Sequence, residues 1–252
     1  MTSQAVDDID SLLEDAYVVA VETIELVQQP SVPRVTAAQT TGIAALARTL
    51  SHLRALRVLL REGHFVEGRM VARGAIENLF LLAALSKDSE AVLSEMREDH
   101  HARRKARGEF LISRSIIRDE ESRRHLQAAL ARFRSELTGR RPDLEPKRLA
   151  HRGDVADAYV AYAEMSEDSA HPSIDSLSRY VPFADDLDID LDPPSRQHEI
   201  GLTKVYFSMA LIASIVALGE ILDLGFGDDR IAKLWERHKS LSASQAADPA
   251  DH

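Results

Sequence analysis

Val71-Ala72-Arg73-Gly74-Ala75-Ile76-Glu77-Asn78-Leu79-Phe80-Leu81-Leu82-Ala83-Ala84-Leu85 is the stretch on which the fold turns. At 100° per residue, Phe80 and Ala84 share the side of Arg73 and Glu77, while Ala75, Leu79 and Leu82 cover the opposite side. A helix that is apolar all round is a buried one, so the stretch predicts a helix in the middle of a helical core. It offers no polar face for Arg73 and Glu77. A buried charge has to be paired, because an isolated one is expensive to desolvate. Residues four apart on a helix can pair with each other, and Arg69 extends the same line by one further turn.

The flanks of this helix place its neighbours. A helix over about 40–62 carries the stripe Leu46, Leu50, Leu53, Leu56 and Leu60, and Gly63 reads as its C-cap. The link to a third helix over 64–85 is so short that the two are expected to be antiparallel neighbours. Upstream, Asp7, Asp8, Asp10 and Ser11 start a first helix that ends before Pro30. Downstream, a charged helix is expected over 88–118, and a helix over 119–137 could simply continue it. Gly139 to Pro142 and Pro146 mark a loop, and Asp154 starts a helix carrying Val155, Ala158, Tyr159 and Tyr162. His171-Pro172 opens a short turn or helix, with Pro at its favoured first position. A long helix over 195–224, a break at Gly225-Phe226-Gly227 and a last helix over 228–239 follow. No repeat and no strand alternation is found. The expected fold is all-α, a multi-helix bundle around a central antiparallel helical hairpin, with one domain over 1–239 and a disordered tail over 240–252.

Composition narrows the classes. Hydrophobic residues make up 44% and charged residues 29%, as in ordinary globular proteins, and aromatics only 5%, which favours close-packed helices over a sheet. Cysteine is absent, which excludes disulfides and thiolate metal sites and fits a reducing, cytoplasmic setting. The first residues are acidic and lack an apolar signal core, so secretion is not expected. The apolar run over 205–224 contains Ser208, Ser214, Glu220 and Asp223 and reads as a core helix, so no membrane partner is expected. A formal net charge of -10 argues against non-specific nucleic-acid binding. Of the 31 basic residues 25 are Arg, a ratio that fits either a GC-rich bacterial genome, the preferred reading, or a preference for bidentate contacts.

Four groups of residues could carry chemistry. Arg69, Arg73 and Glu77 form a polar line that is either a buried ion pair fixing helix register or the wall of a pocket. Glu98-Asp99-His100-His101 puts Glu98 and His101 at i and i+3, as helical di-metal proteins do, but the second copy those proteins use is missing, and a charged surface is the simpler reading. Asp186, Asp188, Asp190 and Asp192 alternate like calcium ligands, yet the turn glycine and closing bidentate Glu are absent, so the segment reads as a solvated acidic loop. The last group is Tyr159, Tyr162, Ser166 and His171-Pro172-Ser173. A Ser166–His171–Glu77 triad is formally available but has no Gly-x-Ser-x-Gly turn or oxyanion loop behind it. Neither a phosphate loop nor a Gly-x-Gly-x-x-Gly sequence occurs, so no cofactor is expected.

The elements Ala72-Arg73-x-x-x-Glu77, Tyr159 or Tyr162, Ser166 and His171-Pro172-Ser173, in that order, resemble an uncharacterised bacterial all-helical family, a domain of unknown function. The resemblance covers roughly residues 40–182. It implies a helical fold and a convergence of Arg73, Glu77, Ser166 and His171, and it implies no activity. Helical toxin-type ribonucleases of bacterial defence loci use an Arg-x(4–6)-His motif at a dimer face, and Arg57 to His64 and Arg118 to His125 match it. With 25 Arg and 10 His in the chain, such spacings also arise by chance.

The leading expectation is therefore a binding or regulatory module with a polar centre at Arg73, Glu77 and His171, holding a small molecule. The binding set is Arg69, Arg73, Glu77, Tyr162, Ser166 and His171; Glu77, Ser166 and His171 are the catalytic candidates. A metal-independent ribonuclease acting on RNA is one alternative. A metal-dependent hydrolase, with Glu98, His100 or His101 as weak candidate ligands, is the other. A homodimer is the expected assembly, on the general frequency of symmetric dimers.

Overall fold

The computed structural model describes residues 3–27, 35–139, 142–169, 174–181, 189, 197–225 and 229–246. Among them are α1 (Ser3–Leu26), α2 (Ala37–Arg61), α3 (Phe65–Lys87), α4 (Ser89–Ser113), α5 (Glu120–Glu136), α6 (Pro146–Arg152), α7 (Ala158–Ser169), α8 (Ile174–Ser178), α9 (Gln197–Ile221) and α10 (Asp229–Ala246). No strand occurs among the described residues, and the fold is all-α.

α3 is the hub, packed by α2, α9, α7, α6 and α4. Its apolar circumference explains this, because Ala72, Ala75, Ile76, Leu79, Phe80, Leu82 and Ala84 are all buried against one neighbour or another. α2 ends on a Gly63 at φ 85, where the His64 amide reaches the Leu59 carbonyl at 2.8 Å and the Gly63 amide the Leu60 carbonyl at 3.4 Å. This is the paired closure that a left-handed glycine allows. Beyond it α3 runs back along α2. Gly68 faces Leu56 and Leu60, Gly74 faces His52, Asn78 bonds Thr49, and Leu82 faces Gly42. At Gly74 a Cβ would lie 2.8 Å from the His52 ring, so any side chain there would have to displace that ring.

α9 is long and apolar enough to cross a membrane by length and composition, and 61% of its most apolar window is buried inside the structure. It packs on α3, α1, α2 and α10, which accounts for its lack of a polar face.

Several boundaries differ from the sequence expectation. α2 starts three residues before Thr40 because Thr36 and Gln39 close a reciprocal capping box. α4 and α5 are separate helices, as their two expected ranges allowed, but α4 ends at Ser113 and not near Arg118. The chain turns at Ser115 (φ 50), and Asp119 caps α5 through the Ser122 amide at 2.7 Å. α6, expected to be loop, is a seven-residue helix with Pro146 in its first turn, where a missing N–H costs nothing. Asp154 does not start α7; it sits at φ 56 in the turn before it. α10 continues past Lys239 to Ala246, and Gln245 is buried, so this part of the expected tail is helical. Residues 190–196 and most of the acidic 183–194 loop lie outside the described residues, as does the Gly227 end of the expected break.

The core cluster draws on α1, α2, α3, α6, α7, α9, α10 and the first turns of α4. None of its fully buried members comes from residues 97–143. Among the described residues α5 packs chiefly on α4, through Leu130 and Leu126 against Gly108, so the far part of α4 and the whole of α5 form an arm beside the bundle.

Candidate functional site

Two elements bring the polar centre together. Arg73 and Glu77 lie one turn apart on α3, and the first half of α7 lays Tyr162 across them. Arg73 Nη1 is 3.3 Å from Glu77 Oε1 and donates to the Tyr162 hydroxyl at 3.1 Å. The Tyr162 hydroxyl in turn donates to Glu77 Oε1 at 3.2 Å. The three groups thus close a triangle, with the Arg73 guanidinium also near the Tyr162 ring, 5.5 Å from its centroid. The ring itself packs edge-on against Phe80.

The pair is not sealed in the core, contrary to the reading of the helix as buried all round. The Arg73 side chain is 26% and the Glu77 side chain 35% exposed. The line sits where α7 leaves a margin of α3 uncovered. One polar group that α3 does bury is Asn78, whose amide donates to Thr49 Oγ1 at 3.1 Å. Arg69 is the buried member of the arginine line: it donates to the Glu164 carbonyl at 3.0 Å and lies over the Phe65 ring. The Glu164 carboxylate accepts from Tyr206 of α9 at 2.6 Å, so Arg69 serves the joint between α3, α7 and α9.

A fourth participant was not foreseen. His52 of α2 lies over Gly74, close enough to Glu77 for the carboxylate to act on it. Burial, followed by the Arg48 guanidinium, nevertheless holds its pKa below the ordinary 6.5, with Glu77 pulling the other way. Among the described residues, its Nδ1 is buried without a hydrogen-bond partner, and so is the Nε of Arg73. The Tyr162 phenol is held above its ordinary 10 by burial first and then by the Glu77 carboxylate, against the opposing Arg73 charge. Tyr162 is therefore a hydrogen-bond donor at neutral pH. A signal for His52 was present in the chain, for His52 and Gly74 lie at equal distances on either side of the Gly63 turn.

Ser166 follows Tyr162 by one turn, and its hydroxyl donates to the Tyr162 carbonyl at 2.7 Å, a bond within the helix. It also acts on the Tyr162 phenol, whose pKa it pulls down against the larger upward pull of burial and the Glu77 carboxylate. His171, with Pro172 and Ser173, lies outside the described residues.

The other candidates are dispersed. Glu98 is buried and accepts from the Thr138 and Gly139 amides at 2.9 and 3.2 Å, so it anchors the chain leaving α5. His101 meets Glu136 at 3.3 Å and the Phe133 ring, while His100 is exposed. No group of three His, Asp or Glu residues arranged to hold a metal exists among the described residues. Arg57 is paired with Glu14 at 2.7 Å, away from the exposed His64. Arg118 and His125 are both exposed on the arm.

With this geometry in view, a family model matches residues 40–188, described as a family of unknown function, DUF5677. The chain belongs to DUF5677. The matched span starts inside α2 and takes in the whole Arg73–Glu77–Tyr162 triangle, together with His52 and the α4–α5 arm, while α9 and α10 lie beyond it. No curated protein and no solved structure matches the chain. DUF5677 membership accordingly brings no activity with it.

Proposed function

We propose that the protein is a binding module that holds a small polar molecule at the Arg73–Tyr162–Glu77 centre, with His52 beside it. One observation carries the reading: the centre is partly open to solvent and incompletely satisfied. A network kept only as a latch between helices fills its buried hydrogen-bonding positions. Here Arg73 Nε and His52 Nδ1 have no partner among the described residues, and the carboxylate and guanidinium retain exposed edges. The centre combines a fixed acceptor in Glu77 with donors in Arg73 and Tyr162, so it suits a ligand that brings both a donor and an acceptor, such as an amide or a nucleobase edge.

Thermal unfolding of the full chain against free amino acids, purine and pyrimidine bases and short carboxylic acids tests this. At least one compound should raise the Tm of wild type by several degrees, which ligand at about 100 times its Kd produces. Glu77→Gln and Tyr162→Phe should lose that shift. A panel that moves nothing, or moves the variants as far as wild type, would overturn the proposal.

A ribonuclease is the second reading, favoured by the joint exposure of Arg118 and His125 on the arm. It requires RNA cleavage by wild type that His125→Ala abolishes, and intact RNA after incubation with wild type removes it.

A further inference from the structure

The net charge of -10 conceals a separation of charge. Residues 97–134, the distal part of α4 with nearly all of α5, hold 11 Arg and Lys against 6 Asp and Glu. That surplus of 5 positive charges leaves -15 on the remainder of the chain. The arm contributes no fully buried residue to the core cluster, so the basic side chains are not there to support the bundle.

Their spacing puts them on one face. His100, Arg103, Arg104, Arg107 and Arg114 follow the helical repeat of α4, and all five are exposed. The same face borders a concavity of about 410 Å³ lined also by Met96, Asp99 and Leu144. Arg103 spends its charge on Asp99 at 2.7 Å. Arg104, Arg107 and Arg114 have no carboxylate within ion-pair distance among the described residues. Two of them lie against aromatic rings instead, Arg104 over Phe133 and Arg114 over Phe110, each 5.8 Å from the centroid. Phe110 is 55% exposed although nothing in the fold requires an aromatic there.

We infer that this face of the α4–α5 arm binds single-stranded nucleic acid, with Arg104, Arg107 and Arg114 on successive phosphates and Phe110 beneath a base. Unpaired arginines along a shallow track, interleaved with an accessible ring, supply the two interactions such a strand uses. The acidic remainder of the molecule repels the strand elsewhere and confines it to the arm. This site is separate from the polar centre, and neither depends on the other.

Fluorescence anisotropy of the full chain with labelled ten-nucleotide oligo-rU and oligo-dT, over a series of salt concentrations, tests the inference. Wild type should bind at least one of them, with log K falling against log salt at a slope of about -2, as three phosphate contacts on a single strand give. Arg104→Gln/Arg107→Gln/Arg114→Gln should weaken binding at least tenfold and flatten the slope. Phe110→Ala should weaken it about fivefold or more with the slope unchanged. All of these side chains are exposed, and circular dichroism checks that the variants stay helical. Failure of wild type to bind either strand at low salt overturns the inference, as does binding that the triple substitution leaves intact. Equal binding of polyglutamate, insensitive to Phe110→Ala, overturns it in favour of an acidic protein partner.

Discussion

Asn78 shows what a single position of α3 has to accomplish. It is buried at the α2–α3 contact, where its amide donates to Thr49 Oγ1 while the Thr49 hydroxyl donates to the Ala45 carbonyl at 3.1 Å. Asn78→Ala removes the donor and leaves Thr49 with an unused lone pair in a dry contact. The expected loss is about 1–3 kcal/mol, read as a lower urea midpoint with an unchanged m-value. Asn78→Ala/Thr49→Val, which removes both partners, should recover part of it. The charges at Arg73 and Glu77 were legible in the sequence because they interrupt an apolar run. Asn78 was masked by the same contrast, since a neutral amide stands out less than a charge. Tyr162 was joined to the centre through the family resemblance, whereas His52 could be joined only through the pairing of α2 with α3, which is information about another element. His52 was not seen at all, because nothing in its own helix distinguishes it.

At the scale of elements, α6 shows how a short helix escapes a periodicity argument and still positions the core. Seven residues are too few to display a stripe, and Pro146 reads as a loop signal until it is placed at a helix start. α6 docks on α3 through Gly153, where a Cβ would lie 2.8 Å from the backbone of both Ala83 and Ala84. Beside it, Arg152 reaches the buried Glu95 of α4 at 2.7 Å. Gly153→Ala must push α6 away from α3 and drag that ion pair with it. The expected cost is about 1–3 kcal/mol, the usual range for overpacking a close contact, measured by urea denaturation. The long helices α2, α3 and α9 were legible for the opposite reason. Each carries an apolar pattern over six turns or more, and Leu46, Leu50, Leu53 and Leu56 are buried as that pattern requires. The boundary between α4 and α5 could be placed in the sequence but not its nature, because charged residues run through it without a Gly or Pro, and the turn is made by Ser115.

In the molecule as a whole, two histidines among the described residues have depressed pKa values, His52 on α2 and His238 on α10, and their joint effect on stability has a definite sign. His238 of α10 is buried, with Nδ1 2.9 Å from the Ser208 hydroxyl of α9 and its ring stacked on Trp235. Burial holds its pKa below the ordinary 6.5. His52 is shifted the same way, by burial first and then by Arg48. Below pH 6.5 the unfolded chain therefore binds protons that these two sites in the folded chain refuse. Their contribution to stability is complete above about pH 6.5 and is lost as pH falls toward their depressed folded values. Ordinary carboxylates titrate lower still, which isolates the histidine window. The urea midpoint of wild type should fall between pH 7.5 and pH 5.5. His238→Gln, which keeps a hydrogen-bonding side chain without the titration, should reduce that fall, as should His52→Gln. The double substitution should come close to abolishing it. A midpoint that rises over this interval, or a fall that the double substitution leaves at full size, would mean that the acid sensitivity of the bundle lies elsewhere.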